Sequence, residues 1–170
     1  MAVLPILTYP HPILKSVAQP VTEVTDATRK LVEDMAETMY AAPGVGLAAN
    51  QVGVLERIFV IDVAGEDEPS ELKVFINPEL VEMDGEQLFS EGCLSFPGAS
   101  ADIKRAKTLK VRALDAQGNP FELEADGLLA VAIQHENDHL NGVLMIDKVG
   151  TLKKRKISRQ VQKALAEAQG

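Results

Sequence analysis

The chain carries one cysteine, Cys93, in 170 residues, so no internal disulfide can form. That usage fits a reducing compartment, and a cytoplasmic location is expected. No run of eighteen apolar residues occurs, so no transmembrane helix and no membrane partner are expected. The opening MAVLPILTYPHP lacks the basic start, long apolar run and small-residue cleavage site of a signal peptide. Internal repeats and low-complexity tracts are missing. So is a regular β-α-β alternation, which argues against a Rossmann arrangement. Histidine is scarce: three residues, His11, His135 and His139.

What is present is ordinary for a soluble globular protein: 46% hydrophobic and 25% charged residues. The length predicts one domain over 1–170 with a sizeable apolar core, and a monomer is expected. The net charge of −8 is unevenly spread. From Asp147 onward seven cations (Lys148, Lys153, Lys154, Arg155, Lys156, Arg159, Lys163) stand against Asp147 and Glu167, a net +5, which leaves −13 for the remainder. The acidic body argues against DNA as a partner. The basic tail is either a solvated helix face or a contact for RNA or another anionic surface.

Residues up to about Pro20 are Pro-rich and predict an extended opening that wraps over the body. Leu31, Met35 and Met39 recur at helical spacing and predict a helix over 25–41, capped by Thr25 or Asp26 and stopped by Pro43-Gly44. A small-residue segment, GVGLAANQ, fills 44–51. It follows a helix rather than a strand, which makes it a poor dinucleotide fingerprint. Strands are predicted at 57–63, 73–78, 86–91, 108–114 and 121–124, with turns at 65–69, 83–85 and 116–120. A helix follows over 127–141, with Asp126 to cap it and Gly142 to end it, then an amphipathic helix from about Leu152 with Ile157, Val161 and Leu165 on one side. The expected class is α+β: mainly antiparallel sheets around a buried helix, flanked by an N-terminal and a C-terminal helix.

The 127–141 helix holds the most informative stretch, His135-Glu-Asn-Asp-His139. Histidines four apart share one helix face and can close on a single metal ion, with Glu136 beside it as a general base. On a helical wheel, Leu128, Val131, Ala132 and His139 fall within about 60° of His135. The histidines therefore face inward on an apolar stripe, where they need partners. Gln134, Asn137, Asp138 and Asn141 form a polar arc.

A catalytic metal typically has three protein ligands and one open position. No histidine follows His139, and the downstream acids are Asp147 and Glu167. Upstream, Glu91-Gly-Cys93-Leu-Ser95 offers a thiolate, a good ligand for zinc or ferrous iron. A lone cysteine is more often a small buried hydrophobe; beside an incomplete two-histidine set, Cys93 becomes the candidate third ligand.

With these residues in hand, the chain resembles the peptide deformylases. GVGLAANQ (44–51), EGCLS (91–95) and QHENDHLNG (134–142) are similar to the three motifs of that family, in the same order and at similar separations. The resemblance implies removal of the formyl group from N-terminal formyl-methionine of new polypeptides. It implies one divalent metal held by Cys93, His135 and His139: Fe²⁺ physiologically, with Zn²⁺, Ni²⁺ or Co²⁺ able to occupy the site in purified protein. The metal then activates a water for attack, while Glu136 takes its proton and passes it to the leaving amine. Gln51 (side-chain amide) and Leu94 (backbone N–H) would donate to the developing oxyanion. Val45 and Gly46 would form a rim for the substrate backbone. Val45, Phe89, Leu128, Val131 and Ala132 are candidates for the methionine pocket, with Glu91 nearby; Glu91 and Arg105 could brace the cysteine loop, and Asp138 could help. Asn137 departs from the apolar or aromatic residue usual at its position, but points away from the metal face. The basic C-terminal helix becomes a candidate ribosome contact. Three other readings stay open: a zinc endoprotease, a structural metal site closed by Asp138 or His11, and a metal-binding but inactive relative.

Overall fold

The computed structural model describes residues 2–65 and 67–169, so the expected 65–69 turn is described except for residue 66. Thr25 starts α1 (Asp26–Ala41) with a reciprocal capping arrangement: its hydroxyl accepts from the Thr28 N–H, and the Thr28 hydroxyl accepts from the Thr25 N–H. Then come β1 (Gly46–Ala48), β2 (Ile58–Ile61), β3 (Lys73–Asp84), β4 (Gln87–Gly92), β5 (Ser100–Arg105), β6 (Thr108–Leu114) and β7 (Pro120–Asp126). The chain closes with α2 (Gly127–Leu140) and α3 (Thr151–Gln169).

Five strands form one antiparallel sheet in the order β1-β2-β3-β6-β7, and β4 and β5 form a separate antiparallel pair. The α+β class is therefore correct. Strand β2 shows how the sheet is placed. Its run Ile58-Phe-Val-Ile61 is buried throughout. Ile58 and Val60 pack with Val32, Met35 and Met39 of α1, whereas Phe59 and Ile61 pack with Ala132 and Ile133 of α2. With a helix on each face, both sets of alternate side chains must be apolar. A third cluster joins β5 and α3 through Phe96, Ile103, Ile157 and Val161.

Some boundaries differ from expectation. Strands β1 and β5 were not foreseen: GLA is too short to show a period, and Ser-Ala-Asp-Ile-Lys-Arg hides its alternation behind small residues. Strand β3 runs on past Pro78 to Asp84, with register shifts between Ile76 and Glu79 and between Val81 and Asp84. Pro78 cannot donate to the ladder, and Asn77 just before it adopts φ 52°, so the strand bulges instead of stopping. The side chain of Asn77 supplies the missing regularity, pairing both ways with the Val21 backbone at 2.8 and 2.9 Å.

The opening segment does wrap over the body. Its backbone N–H groups bond to Thr38, Gln51, Ser95 and Leu140, and it contains one short 3-10 turn, Pro12–Lys15.

Candidate active site

Helix α2 carries the site. Asp126 sits at its N-cap, but its side chain makes no capping hydrogen bond, contrary to expectation. The C-terminus is closed as the sequence predicts. The Gly142 N–H bonds to the His139 carbonyl and the Val143 N–H to the Asp138 carbonyl, a Schellman pattern. Gly142 has φ 72°, and a Cβ there would lie 2.5 Å from the Lys15 carbonyl oxygen, so both conformation and space demand glycine. Only the end of the polar arc, Asn141, is exposed. Gln134 is buried, and its amide clasps the backbone of Ala106 in both directions at 2.9 Å. Asn137 is half-buried, with its Oδ1 unpartnered among the described residues, and does not line the cleft described below.

His135 and His139 are buried on the inner face, their Nε2 atoms 3.3 Å apart. The Sγ of Cys93, just after β4, lies 3.4 Å from His139 Nε2. All three donor atoms lie within 4.8 Å of one another. A tetrahedral ion at normal bond lengths would hold two nitrogens about 3.3 Å apart and a sulfur and a nitrogen about 3.6 Å apart. The donor set therefore fits a divalent cation in both spacing and chemistry. No fourth Cys, His, Asp or Glu donor joins it among the described residues. Asp138 is held by Arg105 and Lys148, and exposed His11 accepts from the Ile13 N–H. Neither closes a structural four-ligand set.

Behind the histidines runs a buried ionic chain. Arg105 makes a two-pronged contact with Glu91, Nε to Oε2 at 2.7 Å and an Nη to Oε1 at 2.9 Å, and also reaches Asp138. Glu91 Oε1 meets His135 Nδ1 at 2.8 Å, which leaves His135 Nε2 for the centre. Burial pushes the Glu91 carboxyl up, but Arg105 and His135 outweigh it and hold it below its ordinary value. Burial also opposes charge on His135, yet the Glu136 and Cys93 charges raise it well above normal. His139 goes the other way, driven down by burial and then by His135 and Arg105. Two imidazoles this close do not both stay charged; a cation among the three donors would displace the His135 proton as well.

Glu136 is buried, its Oε1 without a partner among the described residues. Burial, reinforced by Glu91, outweighs the opposing His135 charge and raises its carboxyl to about 7. A Cβ on Gly46 would sit 2.6 Å from Glu136 Oε2, so the absence of a side chain at 46 makes room for this carboxylate.

These groups open into a cleft of about 660 Å³. Val45, Gly46, Gln51, Phe89, Glu91, Cys93, Leu94, Leu128, Val131, Ala132, His135 and Glu136 all line it, so the structure brings every residue expected to hold metal, substrate or the reacting atoms to its wall except His139, which lies behind, buried; the bracing candidates Arg105 and Asp138 also lie outside the wall. The expectation for Glu91 needs amending. Both of its oxygens are engaged by Arg105 and His135, so it braces the histidine and is not free for substrate. Sequence reasoning missed Ser95, whose hydroxyl accepts from Gln51 Nε2, and the clasp by Gln134. Ser95 lay inside a quoted motif; Gln134 gave no signal beyond its place in the polar arc.

An α+β frame with a His-Glu-x-x-His helix along an apolar cleft defines a hydrolase. Comparison with known proteins narrows the class. The family model for polypeptide deformylase matches residues 3–155. The peptide deformylase of Alkalilimnicola ehrlichii is 49% identical over 167 residues, covering 98% of this chain and 93% of that protein. A crystal structure of a Legionella pneumophila peptide deformylase superposes with a TM-score of 0.93 at 44% identity, covering 99% and 98% of the two chains. The Ehrlichia chaffeensis enzyme in complex with actinonin gives 0.91 at 40% identity, covering 96% and 98%. The chain belongs to the peptide deformylase family, enzymes that remove N-formyl groups from nascent peptides.

Proposed function

We propose that the chain is a single catalytic domain that hydrolyses the formamide of N-formyl-methionyl nascent peptides, using one divalent cation held by Cys93, His135 and His139. The observation that carries this reading is the convergence of one sulfur and two imidazole nitrogens at tetrahedral spacing beside a buried, partly unpaired glutamate. A thiolate with two imidazoles suits ferrous iron or zinc; we take Fe²⁺ as the physiological ion, with Zn²⁺, Ni²⁺ or Co²⁺ as occupants in purified protein. When bound, the cation supplies Lewis acidity, polarising the formyl oxygen and lowering the pKa of a coordinated water.

The protein's own groups do the rest. Glu136 accepts a proton from the attacking water and delivers it to the leaving amine, a role supported by a pKa near neutrality in the metal-free chain. The side-chain amide of Gln51 and the backbone N–H of Leu94 face the charge developing on the formyl oxygen. Strand β1 lies at the edge of its sheet, so the Val45–Gly46 rim can take the substrate backbone as an added strand. Val45, Phe89, Leu128, Val131 and Ala132 present an apolar wall to the methionine side chain.

The test compares formyl-Met-Ala-Ser with its acetylated analogue, before and after chelation. Turnover of the formyl substrate alone, lost with the metal and restored by Fe²⁺ or Zn²⁺, is expected. Efficient cleavage of internal peptide bonds, or full activity in metal-free protein, overturns the reading and favours an endoprotease or a structural site.

The same reading places the enzyme in the cytoplasm as a monomer. Among the described residues, no helix is long and apolar enough to cross a membrane. The α3 cations Lys153, Lys154, Arg155, Lys156, Arg159 and Lys163 are all exposed, which supports a ribosome contact. Truncation at residue 147 should abolish co-sedimentation with ribosomes at low salt; unchanged co-sedimentation removes this contact.

A further inference from the structure

The opening strap joins two loops that carry polar groups of the cleft. The Leu7 N–H donates to the Gln51 carbonyl at 2.7 Å, and the Tyr9 N–H to the Ser95 carbonyl at 2.8 Å. One loop follows β1 and the other follows β4, so two distant parts of the chain are held in register by residues only two apart. Between them the fully buried Ser95 hydroxyl accepts from Gln51 Nε2 at 3.0 Å. At the other end of the same amide, Oε1 accepts from the Ala48 N–H at 3.0 Å. The backbone N–H of Ala48 can only donate, so turning the amide over would set two donors against each other. The orientation is therefore determined: Nε2 points toward the centre, 3.6 Å from Cys93 Sγ. One of its hydrogens is taken by Ser95, and the other meets Cys93 Sγ, a weak acceptor that an oxygen of a ligand can replace. Ser95 itself does not line the cleft.

We propose that Ser95 is a positioning residue for deformylation: its hydroxyl holds the Gln51 amide so that one N–H is already aimed at the formyl oxygen when charge develops there. This rests on the assignment of Gln51 as an oxyanion donor. The physical reason is preorganisation. A glutamine side chain has several rotatable bonds, and a donor that must first find its place stabilises the transition state less. Without Ser95 the released N–H would be buried and unpaired, and would turn toward another acceptor.

The experiment uses the full-length, metal-replete enzyme and formyl-Met-Ala-Ser. Gln51→Ala should lower kcat by about 10²–10³-fold. Ser95→Ala should lower it by about 10–100-fold, with KM and metal content essentially unchanged. The double variant should be no slower than Gln51→Ala alone, because Ser95 acts through Gln51. Ser95→Thr keeps the hydroxyl, and Ser95→Val has nearly the same shape without it; Thr should stay close to the parent and Val should match Ala. Equal loss for Thr and Val, or a Ser95→Ala penalty undiminished in the Gln51→Ala background, overturns the inference while leaving Gln51 as donor. An unchanged rate for Gln51→Ala removes the donor assignment, and the inference with it. If the Thr and Val proteins fail to fold in so tight a space, the Ala cycle decides alone.

Discussion

Glu136→Ala is expected to lower turnover of a formyl-methionyl peptide by about 10²–10⁴-fold while leaving bound metal at one per chain. The two halves of that result have different causes. Metal retention follows because Cys93, His135 and His139 supply the donor atoms and Glu136 supplies none. The rate loss follows because the proton from water then has no positioned acceptor. Glu136→Gln separates chemistry from packing. It preserves shape and removes a buried charge whose Oε1 has no partner among the described residues, so the variant should melt no lower than the parent while being as inactive as the alanine form. Metal analysis, thermal melts and steady-state rates on the three proteins decide it. A rate within about threefold of the parent, less than 1 kcal/mol in barrier, sinks the assigned role.

Arg105→Ala should destabilise the fold by about 3–5 kcal/mol, since it strands the Glu91 carboxylate in the interior. Arg105 and Glu91 are only 6% and 4% exposed, so water cannot replace the lost partner. The damage should reach the metal as well. Glu91 holds His135 through Nδ1, and loosening such an outer partner typically costs about 10–100-fold in metal affinity. The pH dependence has a definite sign. Glu91 sits below its ordinary value of 4.5 in the folded state, so the parent gains stability from it above that pH and loses it as the pH falls through the folded value. The variant lacks Arg105 as the counter-charge, and its stability should vary less over that acid range. Urea unfolding at neutral and acid pH, together with metal titration, provides the check. Equal unfolding midpoints for parent and variant would falsify the argument. Arg105→Lys should fall between the two, because it keeps the charge but not the fork.

The chemistry was far more legible in the chain than its support. His135, Glu136 and His139 follow from a four-residue spacing on a helix, a local rule that holds wherever the helix packs. Cys93 became a candidate because the downstream sequence offers no third ligand. The brace through Glu91 and Arg105 was foreseen as a pairing, but not that it would occupy both Glu91 oxygens and reach His135. Ser95 and Gln134 escaped notice because a serine hydroxyl and a glutamine amide have no period and no characteristic spacing. Their roles exist only once distant backbone segments lie beside them. Strand β1 was illegible for the same reason: a strand of three residues is recognisable only by the partner it pairs with.

What the sequence determined by itself was therefore set by short-range geometry and composition. It established the α+β class, the inward-facing histidine stripe, the glycine that ends the helix, and the acidic body with its basic tail. Tertiary structure alone decided the rest. It brought Cys93 within 3.4 Å of His139 across 46 residues, set the orientation of the Gln51 amide, and left room at Gly46 for the Glu136 carboxylate. It also buried one member of the polar arc, Gln134, as a clasp on Ala106. Periodicity is a property of neighbouring residues and survives in the sequence. Distances between remote side chains depend on how the packed core positions their backbones, and no local pattern encodes that.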